Sequence, residues 1–194
     1  MATIVRADDL ALVGSNGGAW VAPLGTAQPT DPAETPSGLW LPIGAISDDG
    51  LTNGVDEDSE SFTPWGLNSP FRTVTTSSVR TFSFTAWETN RPIVKSLQYK
   101  IDVADLVPDG TGVVTFAESG VSMPDRRAWI FDVYDGDVWE RFYIPEGEIT
   151  ERSEVTYAQG EMAGYEWTIS TYPDSAGNLV YHAYLAPEVD EVSS

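Results

Sequence analysis

Phe71–Glu88, FRTVTTSSVRTFSFTAWE, reads as one long strand with a break near Thr76–Ser78. Its residues alternate with a period of two. Thr73, Thr75, Ser77, Thr81, Ser83 and Thr85 share one face. Val74, Phe82, Phe84 and Ala86 share the other, with Arg72 and Arg80 interspersed. An apolar face backed by a hydroxyl face belongs to an antiparallel sheet that is solvated on one side. The hydroxyl face carries no Asp, Glu, Lys or Arg between Thr73 and Thr85, whereas most solvent faces carry charge. A wet surface strand is one reading of it; the hydroxyl lining of a water-filled channel is the sharper one.

The surrounding 194 residues, 41% hydrophobic, suffice for a single domain, 1–194, with a real core. Thirteen Pro and seventeen Gly fit many turns and short strands. The absence of cysteine excludes disulfides and thiolate chemistry. The N-terminal MATIVRADDLALVG lacks a basic segment followed by an apolar core, so neither a signal peptide nor a membrane contact is expected. The net charge of −20 argues against wrapping nucleic acid, which requires Lys and Arg. That charge is uneven. Residues 61–101 hold Arg72, Arg80, Arg91, Lys95 and Lys100 against Glu88 alone, a net of +4, which leaves −24 for the rest. A basic segment of one copy meeting an acidic segment of the next would make a head-to-tail contact, and such contacts build rings or filaments.

Outward from the central strand, Leu10–Val13 and Ala19–Ala22 read as strands around a Ser15–Gly18 turn. Residues 23–38 hold four prolines and form an extended arm. Gly38–Ile46 reads as a strand with Pro42 at an edge or bulge. Residues 47–65 read as an acidic and aromatic loop, with turn signals at Asp49-Gly50 and Asn53-Gly54. Asp48, Asp49, Asp56, Glu57, Asp58 and Glu60 fall there without a base, followed by Phe62 and Trp65. Clustered carboxylates suit calcium, but their spacing is not that of an EF-hand, and a solvated or partner-facing loop is the better reading. Asn90 and Pro92 open a helix whose Ile93, Val94, Leu97 and Ile101 share a face that packs on the sheet. Beyond it Gly112–Phe116 and Thr150–Gln159 read as strands. Arg127–Tyr134 and Asp137–Ile144 read as a hairpin about Asp135-Gly136. Tyr165–Thr171 and Leu179–Leu185 read as a pair. The tail, 187–194, is acidic and expected to fray.

No nucleophile elbow and no phosphate-binding glycine loop appears. One histidine, His182, and no cysteine exclude His/Cys metal sites. No catalytic residue and no cofactor is therefore expected. Carboxylates are plentiful, and Asp132, Glu140 and Glu166 lie near Tyr134, Trp139 and Trp167. Because aromatic rings stack on sugars, a β-sandwich carbohydrate-binding module is the alternative reading.

GAISDDG at 44–50, Leu51-Thr52, the acids of 56–60, the Trp65 region, Phe71–Val74 and FSFTAWETN at 82–90 follow one another in a pattern. With GAWVAPLGTA at 18–27, it resembles the major tail protein, or tail tube protein, of long-tailed non-contractile bacteriophages, especially those of actinobacterial hosts. The match is best over residues 10–100. The resemblance implies a mainly β fold, a β-sandwich or barrel with one flanking α-helix and a long extended arm. It implies a structural virion protein assembled in the host cytoplasm, whose sixfold rings stack into a hollow tube. Implied partners are other copies of the chain, a tape-measure protein, tail terminator and tail-tip proteins, and viral DNA that passes without specific binding. Under that reading Thr73, Thr75, Thr81, Ser83 and Thr85 line the lumen. Asp48, Asp49, Asp56, Glu57, Asp58, Glu60, Phe62, Trp65, Arg72 and Arg80 make contacts between subunits or rings.

Overall fold

The computed structural model describes residues 11–31, 33–121 and 123–185. The central stretch is a strand as read. Eight strands form one antiparallel sheet: β1 (Asn16–Pro23), β2 (Leu41–Pro42), β3 (Thr52–Phe62), β4 (Arg72–Ala86), β5 (Arg126–Asp135), β6 (Val138–Arg152), β7 (Tyr165–Tyr172) and β8 (Tyr181–Tyr184). Their order is β2-β1-β5-β6-β7-β4-β3, with β8 also paired to β6, so the central strand β4 lies between β7 and β3. One helix, α1 (Pro92–Tyr99), flanks the sheet.

The sheet folds over on itself. β4 and β5 are three strand steps apart, roughly 14 Å in a flat sheet. Yet the rings of Phe82 and Phe131 stack at 5.3 Å, and Phe84 meets Phe131 edge-on at 5.5 Å. The two halves therefore face each other as a sandwich around Phe82, Phe84, Phe131, Phe142, Trp129 and Trp167. Helix α1 adds Ile93, Val94 and Leu97 to the same core. Strand β6 makes the fold-over: one edge pairs with β5 from Val138 to Glu148, while its other edge takes β8 at Glu140–Tyr143 and β7 at Glu146–Arg152.

Several elements differ from the sequence reading. Thr52–Phe62 is a strand rather than a loop. Carboxylates disfavour strands in general, but here cross-strand partners hold them, with Ser77 Oγ donating to Asp58 and Ser78 Oγ to Glu57. Asn53-Gly54 does not turn; Gly54 sits against Thr81, where a Cβ would lie 2.9 Å from Oγ1. Asn16–Gly18 opens β1 instead of turning, residues 11–13 form no strand, and Leu10 lies outside the described residues. Of 38–46, Leu41–Pro42 pairs with β1 at the sheet edge, where a proline is tolerated, and Ile46 makes a single bridge to Ala86. Gly112–Phe116 forms no strand, and 153–159 does not continue β6. β8 pairs with β6, not β7, because the open edge of β6 ahead of Glu146 leaves it a place. The helix begins as read but its N-cap is Arg91, with no side-chain cap. Lys100 ends it in a left-handed conformation, φ 54°. The tail 187–194 lies outside the described residues.

The proline-rich arm is strapped down. Its main-chain oxygens accept from three side chains: Thr26 O from Tyr143 (3.0 Å), Ala27 O from the Trp40 indole (3.3 Å) and Glu34 O from Arg141 (2.9 Å). Trp40, Tyr143, Ile130, Ala22 and Ala128 make a second small core beneath it, on the outer face of β1, β5 and β6.

Candidate assembly surfaces

Two surfaces stand apart from the core: a long ribbon and a continuous polar face. Residues of β4 pair with β7 only from Thr81 to Ala86. From Arg72 to Val79 they pair with β3 alone. The β3–β4 hairpin thus projects past the sheet by about nine residues, roughly 30 Å. A two-stranded ribbon in water has little to hold it. Its exposed side chains include Val55, Phe62, Trp65, Leu67, Phe71 and Val74. Phe71 N donates to Phe62 O and closes the strands below the tip.

A bulge falls where the break in the central strand is read. Asp58 pairs with Ser77 and Ser59 with Thr75, so Thr76 has no opposite residue. Directly opposed residues point to the same face. Thr52/Ser83, Gly54/Thr81 and Asp58/Ser77 therefore share a face with Glu60/Val74 and Phe62/Arg72 beyond the bulge. Thr73 and Thr75, opposite Ser61 and Ser59, turn to the other side. The bulge thus divides the five hydroxyls read as one lining: Thr81, Ser83 and Thr85 stay together, and Thr73 and Thr75 leave them. Val74 moves correspondingly off the apolar side.

The face that keeps Thr81, Ser83 and Thr85 spreads across the neighbouring strands. Those three lie opposite Ser170, Thr168 and Glu166 of β7. Ser83 Oγ and Thr168 Oγ1 are 3.1 Å apart, and Thr150 Oγ1 reaches Ser170 Oγ at 2.8 Å. Glu146, Glu148 and Glu151 of β6 pair with Tyr172, Ser170 and Thr168. With Asp56 and Asp58 of β3, the result is a field of hydroxyls bordered by carboxylates. Arg126 lies 3.9 Å above the Tyr172 ring and 3.2 Å from Glu146. The central strand alone reads as uncharged; its neighbours make the face acidic. Sequence reasoning missed Thr168, Ser170 and Thr150, and read Glu166 only for sugar chemistry. The signal was present, because Tyr165–Tyr172 alternates buried Tyr165, Trp167 and Ile169 with polar residues.

The remaining candidates separate in space. Asp48 and Asp49 are exposed at the base of the ribbon, whereas Phe62 and Trp65 are near its tip. Arg80 faces away from the polar surface, and its guanidinium donates to Asn53 Oδ1 at 3.0 Å. Glu57 is on that same reverse side, opposite Ser78. Beside Asp48 and Asp49 lies a cleft of about 460 Å³, bounded by Gly14–Gly18, Ala45–Leu51 and Phe131–Val133.

Of the carboxylates considered for sugar chemistry, Asp132 and Glu140 are otherwise engaged, and Glu166 lies on the polar face opposite Thr85. Asp132 is buried and takes two hydrogen bonds from Arg141, both 2.6 Å, and a third from Tyr134 at 3.0 Å. Burial and the adjacent Asp132 charge push the Tyr134 phenol up from its usual range. Trp167 is fully buried and donates to Gln98 Oε1 at 2.7 Å, so it offers no ring face to a sugar. Glu140 lies 3.6 Å from His182 on the opposite edge of the molecule's hairpin. Among the described residues no cluster of three acids, histidines or cysteines is placed to hold a metal ion.

Compared with known proteins, the chain matches one family model, described as phage tail tube protein, over residues 6–187. No curated protein matches it.

Proposed function

The chain belongs to the phage tail tube protein family, and from that premise we propose how its surfaces build the tube. It is a structural component of the virion, and its copies assemble into a tail tube. In our reading the tail is of the long, non-contractile kind. Six copies close into a ring, rings stack, and the face of Thr81, Ser83, Thr85, Thr168 and Ser170 turns to the bore. Before ejection the bore holds a tape-measure protein; terminator and tip proteins close its two ends.

The observation that carries this reading is the polar face itself. It lies directly behind the core face of the same strands and joins hydroxyls to carboxylates over β3, β4, β7 and β6. A bore for DNA must admit phosphate without holding it. Few cations and an acidic field do that, because adsorption of nucleic acid depends on cation–phosphate contacts. Ring closure also covers strand edges that would otherwise pair without control. Thr73, Thr75, Arg80 and Glu57, on the reverse of the ribbon, then face neighbouring subunits.

Placing a cysteine at Ser83 tests the orientation, since the chain has none of its own. In assembled tubes Ser83→Cys should react with a small maleimide and resist one carried on a bulky protein, while both react with the disassembled subunit. Equal reaction of both reagents with intact tubes would put that face on the exterior.

A further inference from the structure

The two ends of the ribbon have complementary chemistry. At the tip Trp65 is fully exposed. Between Ser61 and Arg72 no acid occurs, and the run includes Phe62, Leu67, Phe71 and Arg72. An indole carries an N–H that finds an acceptor when it is buried. At the base, the cleft of about 460 Å³ is floored by glycines. Ser47, which lines it, is only 7% exposed, yet its hydroxyl has no hydrogen-bond partner. Buried hydroxyls are ordinarily partnered, and a turn of this side chain would present the unmated group to the cleft. Asp48 and Asp49 stand exposed on the rim.

We propose that Trp65 of one copy enters this cleft on the next copy, with its indole N–H donating to Ser47 Oγ and Arg72 facing Asp48 and Asp49. The proposal rests on the tube reading and names the contact through which successive subunits join. Its occupant is a second copy because the charges match, and because knob and socket lie at opposite ends of one hairpin. Neither end can serve the other in the same molecule. The contact is heterologous, so it repeats along the ribbon and does not stop at a dimer. Thr52–Phe62 has eleven residues. At ~3.3 Å each, plus the tip, successive copies would be spaced by roughly 35–40 Å along that direction.

The absence of native cysteine gives a clean test. Trp65→Cys and Asp49→Cys are made as separate proteins, mixed with tail tips at a concentration far enough above the parent's assembly threshold to offset the lost indole, oxidised and separated without reductant. Heterodimers of the two variants are expected, and the double variant should give a ladder of long oligomers. Trp65→Ala is expected to raise the concentration needed for tubes by about a hundredfold, in keeping with an aromatic anchor. Ser47→Ala should raise it about tenfold, the effect of one hydrogen bond. Both should keep the circular dichroism of the parent. Tubes that form normally from Trp65→Ala, or that give no Trp65–Asp49 link, overturn this contact and leave the tube reading standing. A link from Trp65 to a tape-measure or tip protein instead of to Asp49 overturns it too. Failure of the parent chain to form tubes under every condition removes both.

Discussion

At the scale of single residues, the buried pair Arg141–Asp132 does more than join two strands. One guanidinium nitrogen reaches Glu34 O, so the ion pair also pins the arm. Removing one partner leaves the other charged in a dry site, whereas removing both does not. Asp132→Leu is therefore expected to cost about 3–5 kcal/mol in urea unfolding, and the double change Asp132→Leu, Arg141→Met much less. The double change should speed limited proteolysis within 24–39, because it loses the Arg141 tether to Glu34. Glu88 governs a second junction. Its carboxylate accepts from Ala45 N at 2.9 Å and pairs with Arg91. The Ala45 N–H foremost, then Arg91, hold its carboxyl below the usual range. The folded chain thus binds this proton more weakly than the unfolded chain. Its contribution is complete above the unfolded value of ~4.3 and is lost as pH falls through the lower folded value. Glu88→Gln should flatten the fall in unfolding midpoint below about pH 4.3, with the largest difference from the parent at neutral pH. Gly44, at φ 93° and pressed against Glu88, allows that approach; a Cβ there would meet the carboxyl.

At the scale of elements, the ribbon is the part with least support from its own subunit. Its strands from 55 to 62 and 72 to 79 bond only to each other. Their amides should exchange with solvent within seconds in the free subunit and slow by at least a hundredfold in tubes, while β5 and β7 stay protected in both; this is measured by hydrogen exchange with mass spectrometry. Unchanged exchange on assembly would mean that the ribbon is not an assembly element. The same ribbon shows what could and could not be read from sequence. Its β4 half was legible, since Phe82, Phe84 and Ala86 alternate cleanly with Thr81, Ser83 and Thr85. The β3 half was not, because acids and an Asn-Gly pair are local signs of a loop, and the partner that overrides them is some twenty residues away. The bulge was visible only as a weak spot in the pattern, and its effect on faces needed the register. The hairpin about Gly136 was read correctly because a tight turn is a local matter. The partner of β8 was not, since the choice between β6 and β7 depends on which edge the fold-over leaves open. The reverse error, Gly112–Phe116, has β-branched residues with no edge to join. Of the candidate face, Thr81, Ser83 and Thr85 were legible together, but Thr73 and Thr75 were not separable from them, and the acids of β6 that border that face lie far away in sequence.

At the scale of the whole molecule, charge decides when subunits meet. A net charge of −20 makes free copies repel one another. The screening length falls from about 10 Å at 0.1 M salt to about 3 Å at 1 M. Tube formation without a nucleus should therefore quicken as sodium chloride is raised from 0.05 to 0.5 M, followed by light scattering. A rate that falls with salt would mean that attraction between opposite charges outweighs the general repulsion. Strand β6 adds a mechanical point. It runs unbroken from the half of the sheet that carries the strapped arm to the half that carries the polar face. A load applied to one half reaches the other along a covalent backbone, with no hinge between them. Each subunit should then behave as a stiff tile, and a tail that bends under shear must find its compliance at the seams, where the slender hairpins cross.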